Sequence, residues 1–313
     1  MRRFRVVEDS MLPTLAPGDE FVTTLSRRPA VGDVVALMHP ERDDFWLVKR
    51  MTAGPGDIVN GIGVVPAGSA WVLSDNQLTG TSDSRSFGLV PLAALQSRVE
   101  HLDEVSFLEA LNLLTDEEPA FARGVEDFGT PVFWQRPEGF PSLVWLIMEQ
   151  QVSLESGAAM YRRVLELLEE ITPEAVIAAG AAELRSIGVT RQKAGYVIDL
   201  ASAIVTGDLD LVDVARAEPH DARRSLLAIN GIGPWTADTY LLSAVRFPDV
   251  FPVGDRALQV GTAEILGMSS VPDPEQLEVL SLSWRPVRAA AARLIWHSYL
   301  MRRGRAEPAA PAL

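Results

Sequence analysis

The chain contains no cysteine in 313 residues. Disulfides, thiolate zinc sites, iron-sulfur clusters and cysteine nucleophiles are therefore excluded. Lysine is nearly missing too: of 28 basic residues only Lys49 and Lys193 are lysine, so amine chemistry has two candidates. No long apolar run occurs. The best, LVWLIM over 143–148, stops at Glu149, far short of the roughly 18 residues that cross a membrane. The opening residues MRRFRVVEDS lack the apolar region and cleavage site of a secretory signal, and a cytoplasmic protein without a membrane partner is expected. Net positive charge is also lacking. The balance is −14 overall, split as −3 over residues 1–103 and −11 over the rest. A protein that holds nucleic acid by bulk electrostatics carries a basic excess. DNA binding here would have to be local, through backbone amides or a small patch.

What is present changes character near residue 103. Before it run short β-type stretches (EFVTTL, DVVALMH, FWLVKRM, SAWVLS) broken by Pro-Gly turns, which predicts an all-β domain over 1–103, a curled sheet or barrel-like sandwich. After it, apolar residues recur at helical spacing over 142–170, 173–186, 191–205 and 285–301, predicting an all-α domain over 104–303. Residues 304–313, Pro/Ala-rich, read as a disordered tail. The chain is multidomain, with no internal repeat.

In the helical part, LLAINGIGPWTADTYLL over 226–242 places two helical stretches around Gly231, Ile232 and Gly233. Glycine lets such a hairpin turn tightly and present N–H groups at a helix start, where a phosphate can be held without Lys or Arg. Taken alone, the glycines favour a plain helix-turn-helix connection with Gly as a C-cap. Further on, Asp255 stands where the strand-like VFPV run meets a helix, a place for an N-cap. A carboxylate kept as an anion there also suits cleavage of an N-glycosidic bond, in which positive charge develops on the sugar.

Five ordered blocks carry a resemblance: LIMEQQVS (146–153), SIGVTRQKAGYVIDLASAI (186–204), the hairpin, the Asp255 loop and WRPVRAAAARLIWH (284–297). Over about 110–303 the chain resembles the helix-hairpin-helix DNA glycosylases of the 3-methyladenine glycosylase II type. The resemblance implies that Asp255 is the catalytic carboxylate, that Gly231, Ile232 and Gly233 hold a DNA phosphate with K⁺ or Na⁺ at the hairpin carbonyls, and that Trp235 walls the base pocket. The family's aromatics at two stacking positions are replaced by Thr239 and Val287, leaving Tyr240 or Trp145 to compensate, unless these simply pack helices. Strand-cutting members attack the sugar with a lysine on the hairpin's second helix. Here that helix begins PWTAD, so water is the expected nucleophile and the enzyme monofunctional, with no cofactor. The expected partner is double-stranded DNA with a flipped-out, alkylated base. This half reads as the compact helical core alone.

In the β part, Ser10 lies in SMLPTLAPGD and Lys49 in WLVKRMTAGPGD. A serine hydroxyl needs a base, and lysine serves only when neutral. Near pH 7 that requires about 4 kcal/mol of differential destabilisation, which burial beside Trp46, Leu47 and Val48 can supply. Arginine cannot substitute. These segments, with SDNQLTGTSDSRSFGLVP over 74–91, resemble the motif boxes of signal peptidase I and the nickel-type superoxide dismutase maturation protease. The resemblance implies Ser10 as nucleophile, Lys49 as general base, Thr81 as the hydroxyl that orients the lysine, and Asp83 with Arg85 holding the strand pairing. It departs at Glu8 and Asp9, where small or hydroxyl residues are usual, and at Ser74, where the motif has glycine. The expectation is a base-excision glycosylase fused to a peptidase-like module that takes a peptide substrate. The rival is a processing serine peptidase carrying a DNA-binding helical module.

Overall fold

The computed structural model describes residues 1–78, 80–133 and 136–305; residues 306–313 of the expected disordered tail lie outside them. Two compact units are present, Met1–Leu113 and Leu114–Leu313.

The first unit is built on β1 (Arg2–Arg5), β2 (Glu20–Thr24), β3 (Val34–Met38), β4 (Trp46–Ala53), β5 (Ile58–Val59), β6 (Gly63–Val64), β7 (Ser69–Leu73), β8 (Val90–Pro91) and β9 (Gln96–Arg98). Seven strands form one antiparallel sheet in the order β1-β2-β9-β3-β4-β7-β8, and β5 pairs with β6 separately. Side chains alternate faces along a strand. In β4 this alternation buries Leu47, Lys49, Met51 and Ala53. Lys49 therefore occupies a core-facing row, in register with the fully buried Val35 of β3. The expectation of an all-β domain misses a short helix, α1 (Ser84–Phe87), which Asp83 starts through a capping box with Ser86.

Helix α2 (Glu104–Glu117) crosses the division between the units. Its first turns belong with the sheet, because Glu109 accepts the Ser26 hydroxyl and lies 4.0 Å from the Met1 ammonium.

The second unit contains α3 (Pro119–Phe128), α4 (Phe140–Glu149), α5 (Leu154–Leu168), α6 (Pro173–Ser186), α7 (Arg191–Thr206), α8 (Leu211–Arg216), α9 (Pro219–Leu227), α10 (Pro234–Tyr240), α11 (Arg256–Leu266), α12 (Pro274–Ser281) and α13 (Arg288–Arg302), with a π-helical turn over Leu241–Val245. The segment with helical spacing over 142–170 is two helices, α4 and α5. Gln151 adopts φ 57°, and the Ser153 hydroxyl caps α5 by accepting from Ser156 N–H, a start signal that apolar periodicity does not show. Within α6, Gly180 at φ 70° makes a kink. The VFPV run is not a strand but a loop that turns at Val253 and Gly254 and delivers the chain to α11.

Candidate active sites

Asp255 is the N-cap of α11, its Oδ1 accepting from Leu258 N–H at 2.8 Å. Two indoles complete its setting. Trp235 Nε1 donates to Oδ2 at 2.7 Å, and Trp296 Nε1 donates to Oδ1 at 3.1 Å. The carboxylate is half-buried and receives three N–H bonds from neutral donors, an arrangement that fixes its orientation while leaving its charge uncancelled. Trp235 stands in the first turn of α10 and Trp296 within α13. The hairpin helix, the C-terminal helix and α11 thus converge on one carboxylate.

The hairpin lies between α9 and α10. Gly231 has φ +90°, and a Cβ added there would come within 2.2 Å of the Tyr196 ring of α7. Glycine is required at 231 by backbone conformation and by close packing inside the protein, not by room for a phosphate. Gly233 differs: it is exposed, caps α10 at φ −87°, and an added Cβ meets nothing within 4 Å. Ile232 buries its side chain, so only its backbone is available to a ligand. Sequence reasoning missed Gln150, whose Nε2 donates to the Gly231 carbonyl and to Thr236 Oγ1, both at 2.9 Å. That bond ties the end of α4 to the turn, and an amide at the end of an apolar helix was its signal. Among the described residues no three His, Cys, Asp or Glu side chains gather as a metal site. A K⁺ or Na⁺ at the hairpin would rest on backbone carbonyls; those of Gly231 and Ile229 each accept one bond, from Gln150 and Ile232, and each carbonyl oxygen retains a second lone pair.

The other aromatics are not brought to Asp255 by hydrogen bonding. Tyr240 is fully buried and its hydroxyl accepts from Gly139 N–H at 2.9 Å; burial pushes its pKa up to about 12. Trp145 is buried beside Tyr161, with the Arg136 guanidinium 3.9 Å from its ring centroid. Arg136 in turn pairs with Glu149 at 3.1 Å, while burial pushes the Glu149 carboxyl up. Both aromatics pack helices, and the Trp145 face is taken by a cation. Thr239 and Val287 are buried as well. Lys193 is committed elsewhere: its Nζ donates to the Met148 carbonyl at 2.7 Å, tying α7 to α4.

In the first unit, Ser10 sits in a single 3₁₀ turn, Asp9–Met11, anchored by the fully buried Met11. Asn76 fastens this turn, its N–H bonding the Ser10 carbonyl and its Nδ2 the Asp9 carbonyl, each at 3.0 Å. Lys49 Nζ is 3.2 Å from Ser10 Oγ, and the residue is 2% exposed. Burial lowers the lysine pKa, against the attraction of Asp83, Glu8 and Asp75. A cleft of about 470 Å³ opens over the pair, bounded by Glu8, Asp9, Leu47 and Thr81. The Thr81 hydroxyl is bonded to Ser74 Oγ at 2.6 Å and makes no bond to Lys49. Serine at 74 thus supplies a partner that glycine in the motif would not. Asp83, fully buried, accepts from Ser74 N–H and from Arg85, joining the end of β7 to α1. Arg85 and the capping bonds hold the Asp83 carboxyl below the usual carboxylate range despite its burial. Arg50 grips Asp75 through two bonds of 2.7 and 2.6 Å, a bidentate pair that sequence reasoning did not single out.

Comparison with known proteins agrees with this division. Residues 144–286 match the HhH-GPD superfamily base excision DNA repair protein family, and residues 1–62 match signal peptidase, peptidase S26. A DNA-3-methyladenine glycosylase of Bacillus subtilis is 26% identical over 172 residues, covering 51% of this chain and 57% of that protein. The mitochondrial inner membrane protease subunit 2 of Mus musculus is 36% identical over 114 residues, covering 31% of this chain and 64% of that protein. The chain thus spans less than two thirds of the length of each. The structure of a Schizosaccharomyces pombe 3-methyladenine DNA glycosylase in complex with abasic DNA aligns with TM-score 0.56 at 22% identity, over 60% of this chain and 95% of that one, and shows a shared fold. Among the described residues no helix is long and apolar enough to cross a membrane.

Proposed function

From a helix-hairpin-helix glycosylase domain joined to a signal-peptidase-like module, we propose that the chain is a monofunctional DNA glycosylase that hydrolyses the N-glycosidic bond of alkylated bases, of the 3-methyladenine type. The observation that carries this reading is the Asp255 carboxylate, oriented by Leu258 N–H and two indoles at the start of α11. As the bond from C1′ to the base breaks, the electron pair leaves with the base and positive charge develops on the sugar. The carboxylate stabilises that charge and guides a water to C1′, which loses its proton as the abasic sugar forms. An alkylated purine is already cationic, departs readily, and suits the face of Trp235. Helix α10 carries no lysine, and Lys193 is engaged with Met148, so no amine is placed to form a Schiff base. Double-stranded DNA with a damaged base is the partner, gripped through hairpin amides at Gly233.

The Ser10–Lys49 geometry supports a second activity in the first unit, peptide hydrolysis with Lys49 taking the serine proton. The test of the glycosylase reading is incubation with lesion-bearing duplexes, scoring free base and strand breaks separately. Base release with an intact backbone and no borohydride-trapped adduct is expected; a trapped adduct on Lys193 would overturn the hydrolytic mechanism.

A further inference from the structure

Trp296 lies deep in α13, with most of its surface buried, yet its one polar atom is directed at Asp255 Oδ1. A buried indole N–H seeks an acceptor. Here it meets the oxygen that also caps α11. The second indole, from Trp235, takes the other oxygen. The two rings come from helices far apart in the chain and approach the carboxylate on both of its oxygens. Among the described residues no cation pairs with Asp255: the neighbouring Arg256 bonds Gln259 instead. An arginine partner would orient the carboxylate equally well but would cancel the charge that a cationic sugar needs. Neutral N–H donors orient it and leave that charge in place.

We propose that Trp296 is a positioning residue for the glycosylase reaction, forming with Trp235 a two-indole clamp that fixes the orientation of the Asp255 carboxylate through neutral donors. The inference rests on Asp255 being the reacting carboxylate. It separates Trp296 from the aromatics that meet a base with their faces, since its contribution runs through the ring N–H. Loss of that bond leaves DNA affinity intact and slows the chemical step.

The experiment is single-turnover excision of an alkylated purine from a duplex by the full chain, comparing wild type, Trp296→Phe and Asp255→Asn, with DNA affinity measured in parallel. Trp296→Phe is expected to lower the excision rate about tenfold or more, the loss of one hydrogen bond to a charged group, with unchanged affinity. Excision at the wild-type rate by a folded Trp296→Phe overturns the clamp. Wild-type excision by Asp255→Asn instead overturns the underlying reading. If Trp296→Phe does not fold, the indole N–H resonances of the intact protein decide. Two of them should lie downfield and move together on Asp255→Asn; two resonances that do not respond would overturn the proposal.

Discussion

Lys49 is charged only against the pull of its surroundings, because the strand alternation of β4 carries it into an apolar row. Its pKa is lowered in the folded state, so between the folded and unfolded values the unfolded chain binds more protons. This group's contribution to stability therefore rises with pH through that window and is unfavourable below it. The same shift sets the activity profile. Peptide hydrolysis should rise with pH as Lys49 loses its proton, and Glu8→Gln, which removes a carboxylate favouring the charged form, should move the rise to lower pH. A pH–rate series on both proteins checks this, and an unmoved midpoint would count against Glu8 acting on Lys49. Lys49→Arg should be as inactive as Lys49→Ala, since a guanidinium takes no proton from serine. The Ser10–Lys49 pairing was legible in the sequence because both residues stand in spaced motifs. The Ser74–Thr81 bond was not, since which hydroxyl faces which depends on how the loop after β7 returns.

Helix boundaries show a similar division. Periodicity and composition locate α7 and α13 to within a few residues, because long stretches containing Ala and Leu without an internal Pro favour helix, even though α13 is buried on nearly every face. They run α4 and α5 together, since the break at Gln151 and Ser153 depends on one left-handed residue and one cap. The two hairpin glycines look alike in sequence and differ in the structure. Gly231→Val forces a β-branched side chain into φ +90° and into Tyr196, and should destabilise the helical unit by several kcal/mol, on the order expected for strain plus overpacking. Gly233→Val adds its side chain to open space at the start of α10. It should leave the melting temperature within a few degrees of wild type and weaken binding to all DNA sequences alike. Calorimetry with salt-dependent DNA binding separates the two. A Gly233 variant that binds normally would remove the hairpin from the interface.

At the scale of the molecule, the two motif sets do not interleave, and each unit has its own core: the sheet unit around Val35, Leu37 and Val72, the helical unit around the apolar α4 and the Ala-rich α13. We expect a fragment of residues 104–313 to fold and excise bases, and Ser10→Ala in the full chain to leave excision unchanged. The fragment should be less stable than the full chain, because Phe107 and Leu111 of α2 are buried in the intact protein and Glu109 loses Ser26. The two-domain plan was legible from the change in periodicity near 103, whereas the placement of α2 across the division depends on side chains that meet only after folding. The central claim is that Asp255 is the carboxylate that breaks the glycosidic bond. The most direct measurement is the rate of free-base release from a 3-methyladenine duplex by wild type and Asp255→Asn, with folding checked by circular dichroism, since the new amide NH₂ must face an indole N–H. A loss of two or more orders of magnitude, about 3 kcal/mol of transition-state stabilisation, is predicted for the folded variant; release within a fewfold of wild type would contradict it.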